Sequence, residues 1–137
     1  MAGNARILLV EDDLTVTETM KDIFRHMGLF DGLQIASNGQ VALEMIRLQK
    51  FDLVILDLML PIMNGIQLLE ILNNDKAFAG LRIMVNSTQE SRHVRERVKD
   101  FKNIRVEILP RPFDPMEFAG IVQALTRGPS PIGGREK

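Results

Sequence analysis

The chain has 137 residues, the length of about one domain, and its 45% hydrophobic and 26% charged residues are usual for a soluble globular domain. The absence of cysteine excludes a disulfide framework, thiolate zinc sites and a cysteine nucleophile. Seventeen basic and eighteen acidic residues leave a net charge of -1, and the longest apolar run, residues 58–63, is too short to span a bilayer. With no signal-peptide pattern either, we expect a cytoplasmic domain that has no membrane contact and no direct nucleic-acid contact.

Short apolar runs predict five strands along the chain. They cover residues 7–10, 33–36, 53–56, 83–85 and 106–109. The first and third runs are apolar at every position, which is typical of strands that are covered by helices on both faces.

Between these runs, apolar residues recur at helical spacing and predict five helices. The stripes are Met20, Ile23, Phe24 and Met27; Val41, Ala42, Met45 and Ile46; Ile66, Leu69 and Leu72; Val94, Val98 and Phe101; and Phe118, Ile121, Val122 and Leu125. The last helix has the clearest end signals, with Asp114 as cap, Pro115 at the first position, Glu117 completing a capping box, and Gly128 before Pro129 as the stop.

Strands that alternate with helices in this way predict an α/β fold, a doubly wound five-stranded parallel sheet in a three-layer sandwich. We expect one domain over residues 1–127. Residues 128–137 are rich in proline and glycine and have no periodicity, so they are predicted to be a disordered tail or the start of a linker.

In an open parallel sheet, ligands bind at the carboxyl ends of the strands, near the point where the strand order reverses. The residues that follow the predicted strands are Glu11, Asp12 and Asp13 after the first, Asp57 after the third, Ser87 and Thr88 after the fourth, and Arg111 after the fifth. Asp13 also suits the cap of the first helix. Carboxylates that meet at one edge repel each other, and a hard cation such as Mg²⁺ relieves that repulsion.

Three segments carry a resemblance to a known family. They are residues 7–13 (ILLVEDD), residues 36–39 (ASNG) and residues 52–65 (DLVILDLMLPIMNG). In this order and spacing they resemble the receiver domain of bacterial response regulators in two-component systems, close to the single-domain chemotaxis type. The resemblance covers residues 6–127 and implies the flavodoxin-like (βα)5 fold.

The resemblance implies a role for each matching residue. Asp57 corresponds to the aspartate that accepts a phosphoryl group from a sensor histidine kinase or a phosphotransfer protein. Asp12 and Asp57, the backbone carbonyl of Met59, and Glu11 through water correspond to the ligands of Mg²⁺. Ser87 corresponds to the switch hydroxyl, which contacts the phosphoryl group together with the cation at Arg111.

The resemblance also implies a partner-binding face on the fourth helix, the fifth strand and the fifth helix. Ile108 would be its apolar centre, with Arg92, Arg95, Arg105 and Glu107 around it. A downstream protein target or an output domain would bind there. The chain departs from the family at Arg111, where a lysine is usual, and at Ile108, where an aromatic residue is usual. Asn86 interrupts the apolar run of the fourth strand, and Thr88 replaces a small alanine.

Alternative functions follow from the same residues. A pseudo-receiver, which binds proteins without phosphorylation, is favoured by Arg111, Ile108 and Asn86 but disfavoured by the complete set of acids. A Mg²⁺-dependent phosphatase would need a second aspartate two residues after Asp57, where the chain has Met59. A flavin-binding protein would need a phosphate loop after the first strand, and a DNA-binding regulator would need an output domain. We therefore expect a signalling domain and not an enzyme.

Overall fold

The computed structural model describes residues 5–87, 91–110 and 113–126. In chain order the elements are β1 (Ile7–Val10), α1 (Leu14–His26), β2 (Leu33–Ala36), α2 (Gly39–Leu48), β3 (Leu53–Leu56), α3 (Gly65–Asn73), β4 (Arg82–Ser87), α4 (Ser91–Val98), β5 (Arg105–Pro110) and α5 (Pro115–Thr126). Two short 3-10 turns, Phe30–Gly32 and Lys76–Phe78, precede β2 and β4. The predicted alternation of five strands and five helices is confirmed, but α4 ends at Val98, so Phe101 lies beyond the helix that it was predicted to mark.

The five strands form one parallel sheet in the order β2-β1-β3-β4-β5. The chain first moves from β1 to β2 on one side and then returns to place β3 on the other side of β1. The strand order therefore reverses between β1 and β3, and the fold is the doubly wound flavodoxin-like class. Ile7 is in register with Leu53 and Val10 with Leu56, so β1 and β3 end at the same level.

Alternate residues of the strands supply two separate hydrophobic cores, one on each face of the sheet. Leu8 and Val10 of β1 and Val54 and Leu56 of β3 join the core that packs against α2 and α3. Ile7, Leu9, Leu53 and Ile55 join the core that contains Met20 and Phe24 of α1 and Phe118 and Val122 of α5. Each of these side chains is almost fully buried, and burial of one such side chain stabilises a fold by about 1.5–3 kcal/mol.

β4 and β5 are longer than the apolar runs that predicted them. Arg82 pairs with Arg105, Asn86 with Leu109 and Ser87 with Pro110. Main-chain pairing in a sheet does not require an apolar side chain, so the polar ends of both runs belong to the strands.

Several predicted features fall outside the described residues. These are Thr88, Arg111 and the tail 128–137. Within the part of the chain that the structure describes, no helix combines the length and the apolar character needed to cross a bilayer.

Candidate functional site

The end of β1 places three acidic residues in three different settings. Glu11 is buried, and its backbone N–H donates to the carbonyl of Ala36 at 2.9 Å, which continues the pairing with β2. Asp13 caps α1 as predicted, because its Oδ1 accepts from the N–H groups of Thr15 at 2.8 Å and Val16 at 3.3 Å. Asp12 lies between them and is exposed. The helix cap therefore accounts for Asp13, whereas Oε2 of Glu11 accepts from the N–H of Asp13 at 3.2 Å and Asp12 takes no part in the cap.

Asp57 occupies the equivalent position at the end of β3. Its backbone N–H donates to the carbonyl of Val10 at 3.1 Å, and this bond holds the start of the loop against β1. Its Oδ1 accepts from the N–H of Met59 at 3.1 Å. The residue is only 7% exposed, so the surrounding residues shield most of it from solvent.

Carboxylate oxygens of Glu11, Asp12 and Asp57 all lie within 4.8 Å of one another. Three negative charges at this separation repel each other unless a cation lies between them. Oxygen ligands in this number suit Mg²⁺, which typically binds one or two carboxylates and fills its remaining positions with water and phosphate oxygens. The donor set therefore fits a hard divalent cation, as the sequence suggested.

The loop after β3 is closed by its own backbone. The carbonyl of Leu58 accepts from the N–H of Gly65 at 3.0 Å and from that of Leu60 at 3.1 Å. A Cβ on Gly65 would lie 2.7 Å from the Cα of Leu58 and 2.9 Å from the carbonyl oxygen of Asp57. Only glycine allows α3 to begin this close to the buried aspartate.

Ile62, in the same loop, was not recognised from the sequence as unusual. Its φ is +70°, and the N–H of Met63 donates to the carbonyl of Pro61 at 2.7 Å across it. A β-branched residue rarely adopts this left-handed conformation because its Cβ crowds the backbone. The sequence signal was available only as an apolar residue in a turn where glycine or asparagine is usual.

The end of β4 lies beside this site. Leu56 is in register with Val85, so Asp57 and Asn86 follow at the next position of neighbouring strands, and Ser87 comes one residue later. Asn86 is buried, at 1% exposed. The sheet thus brings the backbone of Ser87 to the edge that carries the acids, while Arg111 lies outside the described residues.

The predicted partner-face residues Arg95, Arg105 and Ile108 line a groove of 810 Å³ between α4 and β5. Arg95 and Arg105 are exposed, and Ile108 is half-buried and packs against the core under α4. Lys99 and Lys102 also line the groove, whereas Glu107 is the acid among its lining residues. The groove therefore has an apolar floor and a positive rim.

Comparison with known proteins agrees with this geometry. The response regulator receiver domain family matches residues 7–123, and the chain belongs to this family. It is a receiver domain of the kind found in two-component signalling.

Individual relatives show the same relationship. The transcriptional activator PfeR of Pseudomonas aeruginosa is 32% identical over 122 residues, which are 89% of this chain and 38% of that protein. A receiver domain of a Francisella response regulator has 25% identity and a TM-score of 0.77, covering 90% of this chain and 98% of that one. The receiver domain of a sensor histidine kinase of Pseudomonas aeruginosa, whose structure has a magnesium ion in its active site cleft, matches in fold with 21% identity, a TM-score of 0.75 and the same coverage.

The chain spans about half or less of the length of the curated relatives that it matches. Relatives that share most of this chain are transcriptional regulators and response regulators rather than enzymes.

Proposed function

We propose that this domain accepts a phosphoryl group on Asp57 from the phosphohistidine of a sensor histidine kinase or a phosphotransfer protein. The observation that carries the proposal is the cluster of Glu11, Asp12 and Asp57, with carboxylate oxygens within 4.8 Å at the reversal point of the sheet. Two carboxylates, those of Glu11 and Asp12, lie beside the buried Asp57, and their mutual repulsion costs free energy unless a cation is bound. The domain would act in the cytoplasm, as a signalling module and not as an enzyme.

In the proposed reaction, a carboxylate oxygen of Asp57 forms a bond to phosphorus while the bond between phosphorus and the histidine nitrogen breaks. The imidazole keeps the electron pair and takes up a proton. The N–H of Met59, which donates to Oδ1 at 3.1 Å, orients the carboxylate and leaves its other oxygen for the attack. Burial of Asp57 restricts the access of water to the product.

The residues that would hold Mg²⁺ are Asp12, Asp57 and the backbone carbonyl of Met59, with Glu11 acting through water. When bound, the ion would offset the charge of the carboxylates and of the phosphoryl oxygens. The magnesium ion in the active site cleft of the Pseudomonas aeruginosa receiver domain supports magnesium as the cation. We further propose that Ser87 and Arg111 contact the phosphoryl oxygens after transfer.

The signal would leave through the groove between α4 and β5. Its positive rim, formed by Arg95, Lys99, Lys102 and Arg105, favours a partner segment with acidic side chains, and Ile108 offers the apolar contact. That segment would belong to a downstream protein target or to an output domain.

Intact mass spectrometry after incubation with acetyl phosphate and Mg²⁺ tests the proposal. We expect the wild type to gain the mass of one phosphoryl group and Asp57→Asn to gain none. Asp31→Asn, which changes an exposed acid away from the cluster, is the matched control and should behave as the wild type. A wild type that gains no phosphoryl group would favour the pseudo-receiver, for which the replacement of the family lysine by Arg111 already argues.

A further inference from the structure

The edge of the sheet where the strands begin, opposite the acidic cluster, carries two adjoining cavities. One has a volume of 420 Å³ and lies between the end of α2 and residues 77–81, which precede β4. The other has a volume of 510 Å³ and lies between the starts of β3, β4 and β5 and the end of α5. Phe51, Gly80 and Leu81 line both cavities, so the two form one continuous groove, which we call the amino-edge groove.

The charge along the amino-edge groove is predominantly positive. Four of the described residues that line it are cations: Arg47, Lys50, Arg82 and Arg105. Asp52 is the acid among the same lining residues, and its Oδ2 accepts from the backbone N–H of Arg6 at 2.8 Å. The ion pairs that form among the described residues include none of the four cations. The groove therefore has a positive charge that the domain does not itself neutralise.

Two of these cations lie next to each other. Arg82 and Arg105 are in register at the starts of β4 and β5, where neighbouring backbones are about 4.8 Å apart, so the two like charges repel. A guanidinium N–H of Arg82 donates to the carbonyl of Leu125 and thereby satisfies one carbonyl at the end of α5. Arg105 is exposed. A bound anion would relieve the repulsion between the two arginines.

The same groove has an apolar part. Phe51 and Phe78 line it and are almost fully buried, whereas Leu48 at the end of α2 also lines it and is 85% exposed. Arg47 beside this leucine has a structural explanation, because a cation near the end of a helix interacts favourably with the helix dipole. Leu48 has no such explanation, since an exposed leucine adds little to the core. An exposed apolar side chain beside a groove is a feature of interaction surfaces.

We propose that the amino-edge groove binds an extended acidic segment of another protein, with an apolar side chain between its acids. The acids would pair with the four cations, and the apolar side chain would cover Leu48. Charge complementarity favours an acidic partner. The exposed leucine favours a peptide over a nucleic acid, whose affinity comes mainly from its phosphates. The groove is at the edge opposite Asp57, so this attachment does not require phosphorylation, and the inference goes beyond the proposed function.

A synthetic peptide tests the proposal. The probe is a fluorescein-labelled peptide of about ten residues, about 33 Å long when extended, in which acidic residues flank a central leucine and phenylalanine. Fluorescence anisotropy without Mg²⁺, in about 0.15 M salt, measures its Kd. Arg105 also lines the groove between α4 and β5, so the test uses Arg47 and Lys50, which do not. We expect Arg47→Glu combined with Lys50→Glu, and separately Leu48→Asn, each to raise Kd by about tenfold.

Matched variants make the result specific. Arg95→Glu combined with Lys102→Glu makes the same charge change at exposed residues of the groove between α4 and β5, and Kd should stay within about twofold of the wild type. Leu14→Asn removes a leucine that is 78% exposed at the opposite edge and should not change Kd. Asp57→Asn should bind the peptide as the wild type does. Far-UV circular dichroism confirms that each variant is folded.

The peptide itself supplies the remaining comparisons. Replacement of its acids by the corresponding amides, or of its leucine and phenylalanine by serine, should weaken binding by about tenfold. No saturable binding, or equal affinity for these altered peptides, would overturn the proposal. Tighter binding of a labelled oligothymidylate of equal charge would assign the groove to nucleic acid instead. An equal loss in Arg95→Glu with Lys102→Glu would place the peptide in the other groove. Phosphorylation of Asp57 is measured separately by mass, so failure here leaves the proposed function standing.

Discussion

The backbone N–H of Gly39, the first residue of α2, donates to the carbonyl of Met63 at 3.1 Å. This bond joins the loop after β2 to the loop that carries Asp57, two segments that are far apart in sequence. A Cβ on Gly39 would lie 2.2 Å from the same carbonyl oxygen, far inside contact distance. The glycine therefore allows the loop after β2 and the loop after β3 to touch.

We expect Gly39→Ala to lower the free energy of unfolding by about 2 kcal/mol, because one of the two loops must move to make room for the methyl group. Gly120→Ala is the matched control. Gly120 is within α5 and has no atom within 4 Å of its potential Cβ, so alanine there should raise stability by about 0.5–1 kcal/mol. Urea unfolding followed by far-UV circular dichroism measures both. Equal stability of the wild type and Gly39→Ala would show that the contact between the loops is easily displaced.

Asp12 and Asp13 are adjacent carboxylates with different expected roles. Asp12→Ala should remove the response of the domain to Mg²⁺ and leave the metal-free stability equal or higher, because a repelling charge is lost. Asp13→Ala should lower stability by about 1 kcal/mol through loss of the α1 cap and keep the response to Mg²⁺.

Thermal unfolding with and without Mg²⁺ measures this difference. A ligand that binds the folded state stabilises it by about 2.7 kcal/mol at a hundred times its dissociation constant, which raises Tm. If Mg²⁺ raises the Tm of Asp12→Ala as much as that of the wild type, or if this variant takes up phosphate normally, Asp12 is not a ligand of the metal.

Arg111 distinguishes this chain from the usual family pattern. Its charge should still meet a phosphoryl oxygen, and Arg111→Ala should lose about 1.5–3 kcal/mol of charge-assisted contact in the phosphorylated state. Arg111→Lys should restore or improve the coupling between phosphorylation and the face around Ile108, because an ammonium is more compact than a guanidinium. The measurements are the rate of phosphorylation and amide exchange. Wild-type behaviour of both variants would reject a functional role for Arg111 and favour the pseudo-receiver.

The groove between α4 and β5 should respond to the state of Asp57. We expect amide exchange of α4 and β5 to change when beryllium fluoride, a mimic of the phosphoryl group, is added with Mg²⁺. The partly buried residues Val98, Val106 and Ile108 link this region to the core, and β4 pairs with β5 along its length, so a shift at the end of β4 would reach the groove. Asp57→Asn is the control and should show no change. A change of amide exchange that is confined to the loop after β3 would show that the state of Asp57 does not affect the groove.

Much of the fold was accessible from the sequence, because the hydrophobic pattern of β1 and β3 allows few other arrangements. Both runs are apolar at every position, and such strands are stable only between two layers of helices. The cap at Asp13 was also predicted, because an aspartate directly before a helix can accept hydrogen bonds from the N–H groups of its first turn. The register of β1 with β3, seen in the structure, then brings Glu11 and Asp57 to the same level.

Other features depend on geometry that a sequence pattern does not contain. The predicted limits of β4 and β5 were too narrow because Arg82 and Arg105 pair through their backbones. A hydrophobic pattern does not indicate backbone pairing between charged residues. The left-handed turn at Ile62 was missed because residue preferences argue against it. The contact of Gly39 with Met63 joins two loops that are far apart in sequence, and a single sequence gives no measure of the distance between them.

The division of the strands between two cores has a consequence for how the acidic site comes into being. Neighbouring residues of β1 and of β3 contribute to opposite layers, so a slip by one position would exchange the contents of both layers at once. Glu11 directly follows β1 and Asp57 directly follows β3, so the register of the two strands also aligns these two residues. A partly folded chain with only one layer in place would hold the same carboxylates without bringing them together. The ability to bind a cation should therefore appear only in the last cooperative step of folding. Cation binding would then report that both helical layers are in place.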